Sequence, residues 1–190
     1  MNVHTGDQRA NRFRRLACVA AIGAAALLPF ATPAFGGPPT VIHDRINGAQ
    51  LSENNFCGAG LTVEHVIDGV QNLHLDGEGF RGSGHFRDVI TNPDNGQSVV
   101  VSSAGHVEGR LLSGDPLGVH THLVTFKGLA GKIQSARGEV LTRDAGVIAF
   151  LDTFDGPTFL GGQVVINKGP HPEADADFAL FCTTVVRALT

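Results

Sequence analysis

Between Leu61 and Val186, short runs of β-branched and aromatic residues alternate with residues that form turns. This alternation is typical of an antiparallel sandwich or barrel, and the 25 glycines of the chain oppose long helices. Asn95-Gly96 is the strongest hairpin signal, because these residues accept the positive φ of a tight turn. The pattern predicts an all-β, mainly antiparallel small barrel of about 8–10 short strands, with a sandwich as the alternative.

The predicted strands leave two segments outside the sheet, an extended N-terminal segment at 37–56 and a solvated loop at 168–177. For 176–189 the sequence is ambiguous. Its apolar residues fall at helical spacing, whereas Thr183-Thr-Val-Val186 favours a strand, and we predict a strand. The predicted strands are 61–68, 71–76, 84–91, 97–104, 106–112, 119–127, 133–143, 147–154, 159–167 and 178–187.

The first 36 residues resemble a secretory signal peptide rather than a part of the fold. Arg14 and Arg15 end a positive segment, and the apolar run Leu16–Leu28 has the length of a signal. Small residues favour cleavage near Gly36. The sequence therefore predicts a protein that is secreted or held at the cell envelope, and it leaves Sec and twin-arginine export both open.

Removing this segment takes away four Arg and one Asp, so the mature chain is more acidic than the formal charge of −4 of the whole sequence. No run of Lys and Arg remains, which argues against a nucleic-acid partner. No later apolar stretch is long enough to span a membrane. The oligomeric state stays open.

Two cysteines remain in the mature chain, Cys57 and Cys182, 125 residues apart. In an oxidising compartment we expect a disulfide between them, with two separate buried thiols as the alternative. A bridge requires their Cα atoms to lie within about 7 Å. The two ends of a single β domain at 57–190 should therefore be neighbours.

The chain contains no Trp and no Tyr, so phenylalanine must supply the aromatic packing. The candidate core residues are Phe80, Phe86, Phe126, Phe150, Phe154, Phe159, Phe178 and Phe181.

Strand alternation predicts which histidines face the interior, because residues two apart share a face. In 119–127, His120 and His122 share a face with Phe126, and in 61–68, His65 lies on the apolar face. On 147–154, Asp152 shares a face with phenylalanines. A carboxylate near imidazoles is the usual start of acid–base or metal chemistry.

Three interpretations of these residues stay open: histidines that satisfy local hydrogen bonds, the wall of a small-ligand cavity, and a transition-metal site. Two imidazoles hold a metal only weakly unless a third ligand such as His65 converges, and we predict neither a metal nor a cofactor. No G-x-S-x-G motif is present.

The leading functional expectation is a binding protein that holds a small apolar ligand in its interior. The predicted ligand-binding residues are His65, His120, His122, Phe126 and Asp152. One alternative is an isomerase or cyclase that uses the same cavity, which the sequence favours less than binding. Another is a non-catalytic surface or interaction protein with a filled core.

Overall fold

The computed structural model describes residues 40–76, 79–176 and 179–190. The predicted signal peptide and its cleavage site lie outside the described residues. In the described residues, two helices follow the last strand: α1 (Pro172–Asp175) and α2 (Leu180–Leu189). The strands that precede them are β1 (Thr40–Phe56), β2 (Leu61–Leu75), β3 (Gly79–Thr91), β4 (Ser98–Gly114), β5 (Val119–Ser135), β6 (Val140–Asp155) and β7 (Thr158–Lys168).

The seven strands of the described residues belong to one antiparallel sheet in which each strand pairs with the next one along the chain. The prediction of an all-β, antiparallel fold is confirmed. Within the described residues β1 and β7 are the two edges of the sheet and are not paired with each other. The sheet is therefore open, and the closed barrel that the sequence predicts is not confirmed.

The strands are fewer and longer than predicted, because β2, β4, β5 and β6 run through four predicted breaks, near Gly69, Gly105, Gly128 and Gly146. The strand predicted at 133–143 is wrong, because β5 ends at Ser135 and β6 begins at Val140. Gly69 and Gly105 show the physical reason. Gly69 lies opposite Phe86 in the register, and a Cβ on Gly105 would stand 2.6 Å from Cζ of Phe126. These glycines make room for an aromatic ring of the neighbouring strand, which is a packing role rather than a turn.

The sequence predicts an extended segment at 37–56 ahead of the domain. Its described residues, 40–56, form β1 and pair along β2. Most of β1 is exposed, as expected of an edge strand. The strand that the sequence predicts at 178–187 is wrong, because Leu180–Leu189 is helix α2. Phe181, Val185 and Leu189 recur every four residues and are all buried. Their packing outweighs the local β propensity.

Helix α2 packs against one end of the sheet, on the side that we call the inner face. This face is defined by buried residues of β2 to β5, which form one core cluster with α2. Full burial of a valine, leucine, isoleucine or phenylalanine side chain contributes roughly 1.5–3 kcal/mol to the stability of the fold. The cluster consists of Phe56, Val63, Ile90, Val99, Val101, Ile133, Phe181, Val185 and Leu189.

Both ends of α2 are fastened to the sheet. The predicted disulfide is confirmed: Cys57, in the turn after β1, bonds to Cys182 in the first turn of α2, with 5.6 Å between the Cα atoms. At the other end, the side-chain amides of Asn92 and Asn95 donate to the carbonyl oxygen of Leu189 at 3.0 and 2.8 Å. The β3–β4 turn therefore caps a helix whose last carbonyls would otherwise be unpaired.

Candidate functional site

Strand β5 directs His120 and His122 to the inner face of the sheet. His122 lies opposite Leu111 of β4, which shares its face of β4 with the core residue Val101. His120 is 7% exposed, and His122 is half-buried. The alternation of side chains in the sequence therefore predicts the orientation of both rings.

Strands β6 and β7 place three more residues beside them. In the register, Phe154 lies opposite His120, and Asp152 lies opposite His122. The ring of Phe154 stacks on His120 at 5.4 Å between centroids, and meets His122 edge-on at 5.9 Å. Phe159 of β7 packs edge-on against Phe154 at 5.5 Å. We call these five residues the His–Phe cluster.

The hydrogen bond of His120 defines its tautomer. Its Nδ1 lies 2.9 Å from the carbonyl oxygen of Gly118, which can only accept, so Nδ1 carries the proton and donates. In the neutral imidazole, Nε2 of His120 is therefore an acceptor.

His122 differs, because one of its ring nitrogens is left unpaired. Its Nε2 is buried and has no hydrogen-bond partner in the described residues. Burial lowers the pKa of His122, and the neighbouring His120 lowers it further. His122 is therefore neutral at pH 7, with a polar atom that lacks a partner.

Asp152 lies in a space that a glycine leaves open. Gly162 of β7 faces Asp152 in the register, and a Cβ on Gly162 would collide with Oδ1 of Asp152. Burial raises the pKa of Asp152 to about 6. Near neutral pH this carboxyl group can therefore take up or release a proton, which an exposed aspartate does not do.

His65 is also buried, at 8% exposure, but it is not part of this cluster. It lies on β2 level with Ile90 of β3 and Val99 of β4. From Val99 to Leu111, the neighbour of His122, β4 advances by about 40 Å at the usual rise per residue. The structure therefore does not bring the predicted third histidine to the other two.

His65 instead forms a separate group with two carboxylates. Its Nδ1 donates to Oδ2 of Asp88 at 2.8 Å, and its Nε2 lies 3.7 Å from Oε2 of Glu53. The hydrogen bond to Asp88 raises the pKa of His65, and the charges of Asp88 and Glu53 add to that effect against the cost of burial. This group links β1, β2 and β3.

Phe126 faces inward as predicted. It lies four residues along β5 from His122, and its ring packs over Gly105. Phe154 and Phe159, which the sequence assigns to the core, are instead the aromatic part of the cluster. Alternation along β6 places Phe154 on the same face as Asp152, so the sequence could have predicted that Phe154 belongs to the cluster. Nothing local indicates the pairing with Phe159.

A second buried group lies in the segment that the sequence predicts as a solvated loop. His171 is 2% exposed and Glu173 is 7% exposed. The backbone N–H of Glu173 donates to Oδ1 of Asp144 at 3.2 Å, and Nδ1 of His171 lies 4.0 Å from the same oxygen. Burial is the main reason that the pKa values of Asp144 and Glu173 are raised. These contacts hold α1 on β6.

Among the described residues, no group of three or more His, Cys, Asp or Glu side chains is arranged to hold a metal ion. None of the helices in the described ranges is long and apolar enough to cross a membrane. Comparison of the chain with protein-family models, with curated proteins and with solved structures returned no match. The arguments for function therefore rest on the geometry of the His–Phe cluster.

Proposed function

We propose that the protein binds a small apolar molecule on the inner face of its sheet, at the His–Phe cluster. The observation that carries this proposal is the unsatisfied state of the cluster. Phe159 is 36% exposed, and Nε2 of His122 is buried without a hydrogen-bond partner among the described residues. Protein interiors seldom leave a buried polar atom unpaired, and ligand sites combine aromatic walls with a few polar groups.

The packing of the sheet supports this location. At the end covered by α2, the inner-face residues Val63, Ile90 and Val99 are at most 1% exposed. At the His–Phe end, His122 and Phe154 on the same face are only half-buried. A ligand at this end would cover apolar surface that the described residues leave uncovered, and each Å² would contribute about 25 cal/mol.

A fluorescent apolar probe, N-phenyl-1-naphthylamine, tests this proposal. The chain has neither Trp nor Tyr, so the probe is measured without a protein background. We expect saturable binding with an increase in probe fluorescence. Thermal unfolding in the presence of the probe should shift to higher temperature, because a ligand that binds only the folded state stabilises it.

A matched pair of variants locates the binding. Phe159→Asp places a charge in the ring cluster, and we expect it to weaken binding of the probe by about tenfold or more, which corresponds to about 1.4 kcal/mol. Leu112→Asp makes a comparable change at an exposed residue of β4 and should leave binding unchanged. Equal effects of the two variants, or no saturable binding to the unmodified protein, would contradict the proposal.

An enzyme that uses the same residues is the second candidate. The observation in its favour is that Asp152, whose pKa is raised to about 6, lies opposite His122 in the register. Two such groups suit proton transfer in an isomerase or cyclase. NMR titration of the histidines tests this candidate: a His122 pKa near the ordinary value of about 6.5 would remove the argument for a tuned group.

We also propose that the protein is exported and that residues 1–36 are removed. The disulfide between Cys57 and Cys182 supports this, because such bonds persist in oxidising compartments. Mass spectrometry of the protein from a host that exports it should give a chain that begins near residue 37. A full-length chain that keeps Met1 and stays in the cytoplasm would contradict it.

A further inference from the structure

We infer that the ligand of the His–Phe cluster is a flat, apolar molecule that carries a hydroxyl group, and this inference rests on the binding function proposed above. Its starting point is Nε2 of His122, which is buried and has no partner in the part of the chain that the structure describes. A ligand group that pairs with this atom relieves an unfavourable state, whereas an apolar group in the same place leaves it unpaired.

A hydroxyl fits this atom better than other polar groups do. Neutral His122 carries a proton on one ring nitrogen and a lone pair on the other. Because a hydroxyl both donates and accepts, it pairs with Nε2 in either tautomer. A carbonyl pairs with only one of them. A ligand carboxylate would meet the carboxyl group of Asp152, which lies opposite His122, and like charges repel each other.

The shape of the ligand follows from the rings around this atom. His120 and Phe154 are nearly parallel, with 14° between their planes, while His122 and Phe159 each meet Phe154 edge-on. Phe159 remains 36% exposed. Aromatic groups prefer offset-stacked and edge-to-face contacts, so a flat ring adds to this arrangement with its apolar body on Phe159 and its hydroxyl toward His122.

Two probes of the same size separate the hydroxyl from the apolar body. 2-Naphthol and 2-methylnaphthalene differ only in a hydroxyl group and a methyl group at one position. Their binding to the purified protein is measured by naphthalene fluorescence at pH 8, where His122 is neutral because its pKa is lowered. We expect 2-naphthol to bind roughly 3–10-fold more tightly, which is the net effect of one hydrogen bond.

A variant assigns this preference to His122. His122→Phe keeps a flat ring and removes the polar atoms, so the two probes should bind it with equal affinity. His85→Phe is the control, because His85 is an exposed residue on the opposite face of the sheet, and it should keep the preference. His122→Gln, which retains a hydrogen-bonding group, should keep part of it and provides a second variant if His122→Phe folds poorly.

The outcomes separate this inference from the proposed function. If both probes bind the unmodified protein equally, the binding function stands and the hydroxyl inference fails. If neither probe binds, the proposed function itself fails. If the preference for 2-naphthol persists in His122→Phe, or is undiminished in His122→Gln, the hydroxyl is held elsewhere and the assignment to His122 is overturned.

Discussion

The two ends of the inner face of the sheet differ in how fully they are covered. At one end, helix α2 covers the strands, and Val63, Val99 and Leu189 have no exposed surface. At the other end, the described part of the chain supplies no helix, and the His–Phe cluster is partly open. The alternation that directs side chains inward is the same at both ends, so alternation alone does not distinguish a core from a site.

Buried polar atoms without a hydrogen-bond partner among the described residues occur at both ends, and they differ in their surroundings. At the covered end, Nε2 of His65 is one of them, but a carboxylate oxygen of Glu53 lies 3.7 Å away and Nδ1 of the same ring donates to Asp88. At the open end, Nε2 of His122 has no such partner in the described residues, and burial raises the pKa of Asp152 to about 6. Functional sites commonly hold such unfavourable arrangements, which the rest of the fold must support.

The largest expected difference between the two ends comes from the same truncation at each. Phe181→Ala removes a buried ring of α2 and should lower the free energy of unfolding by about 3–5 kcal/mol. Phe159→Ala removes a ring that is already 36% exposed and should cost about 1 kcal/mol or less. Urea unfolding followed by circular dichroism measures both. Similar losses would show that the His–Phe end is packed as a core.

A smaller effect is expected where the β3–β4 turn caps α2. Asn92 is 4% exposed, and its amide donates to the carbonyl oxygen of Leu189. Asn92→Ala leaves that carbonyl with fewer donors and should cost about 1–3 kcal/mol in the free energy of unfolding. Asp94→Ala, at an exposed position of the same turn, is the control. A loss no greater than that of the control would mean that the Asn92 hydrogen bond does not stabilise the helix.

Asp152→Asn should stabilise the protein at neutral pH. The pKa of Asp152 is raised from 3.8 to about 6, so the folded state holds its proton more tightly than the unfolded chain does. The contribution of Asp152 to the free energy of unfolding is therefore fully present below pH 3.8 and is lost as the pH rises through about 6. The variant should gain about 1 kcal/mol at pH 7.5, less than the full shift implies because solvent screens a partly exposed group.

The gain should disappear near pH 4, where the carboxyl group of the unmodified protein is itself protonated in the fold. Thermal unfolding of both proteins across this range measures the difference. A variant that is less stable at pH 7.5 would show that the Asp152 carboxylate has favourable contacts that outweigh its burial.

The smallest expected effect is at His65, which lies level with the core residues Ile90 and Val99. Its pKa is raised, chiefly by the hydrogen bond to Asp88, so its contribution to stability is present below pH 6.5 and is lost as the pH rises through the folded pKa. Asp88→Asn should remove this dependence, with a change of under about 1 kcal/mol. Glu53→Gln, at a partly exposed carboxylate, should remove less of it. An unchanged pH profile in Asp88→Asn would contradict the pairing.

Several parts of this fold can be predicted from short stretches of sequence. Asn95-Gly96 marks a turn, and Gly96 has a φ of +71°. The orientations of His65, His120 and Asp152 follow from two-residue alternation within single strands. Two-residue alternation is a local property, because it depends only on the extended backbone.

The errors concern positions where a distant residue decides the outcome. Gly69 and Gly105 predict breaks, yet rings from neighbouring strands cover them. Thr183 and Thr184 favour a strand, yet α2 forms because the sheet offers a surface for its apolar side. His171 lies in a polar stretch, yet contacts with β6 bury it.

Taken alone, the sequence determined an antiparallel β protein with one cystine and with histidines directed to one face, because turn chemistry, alternation and cysteine count act within short segments. Only the tertiary structure decided that the sheet is open, that α2 covers one end, and that Asp152 rather than His65 lies beside His122. These outcomes depend on the register between strands and on which surfaces meet, and contacts between residues far apart in the chain set both.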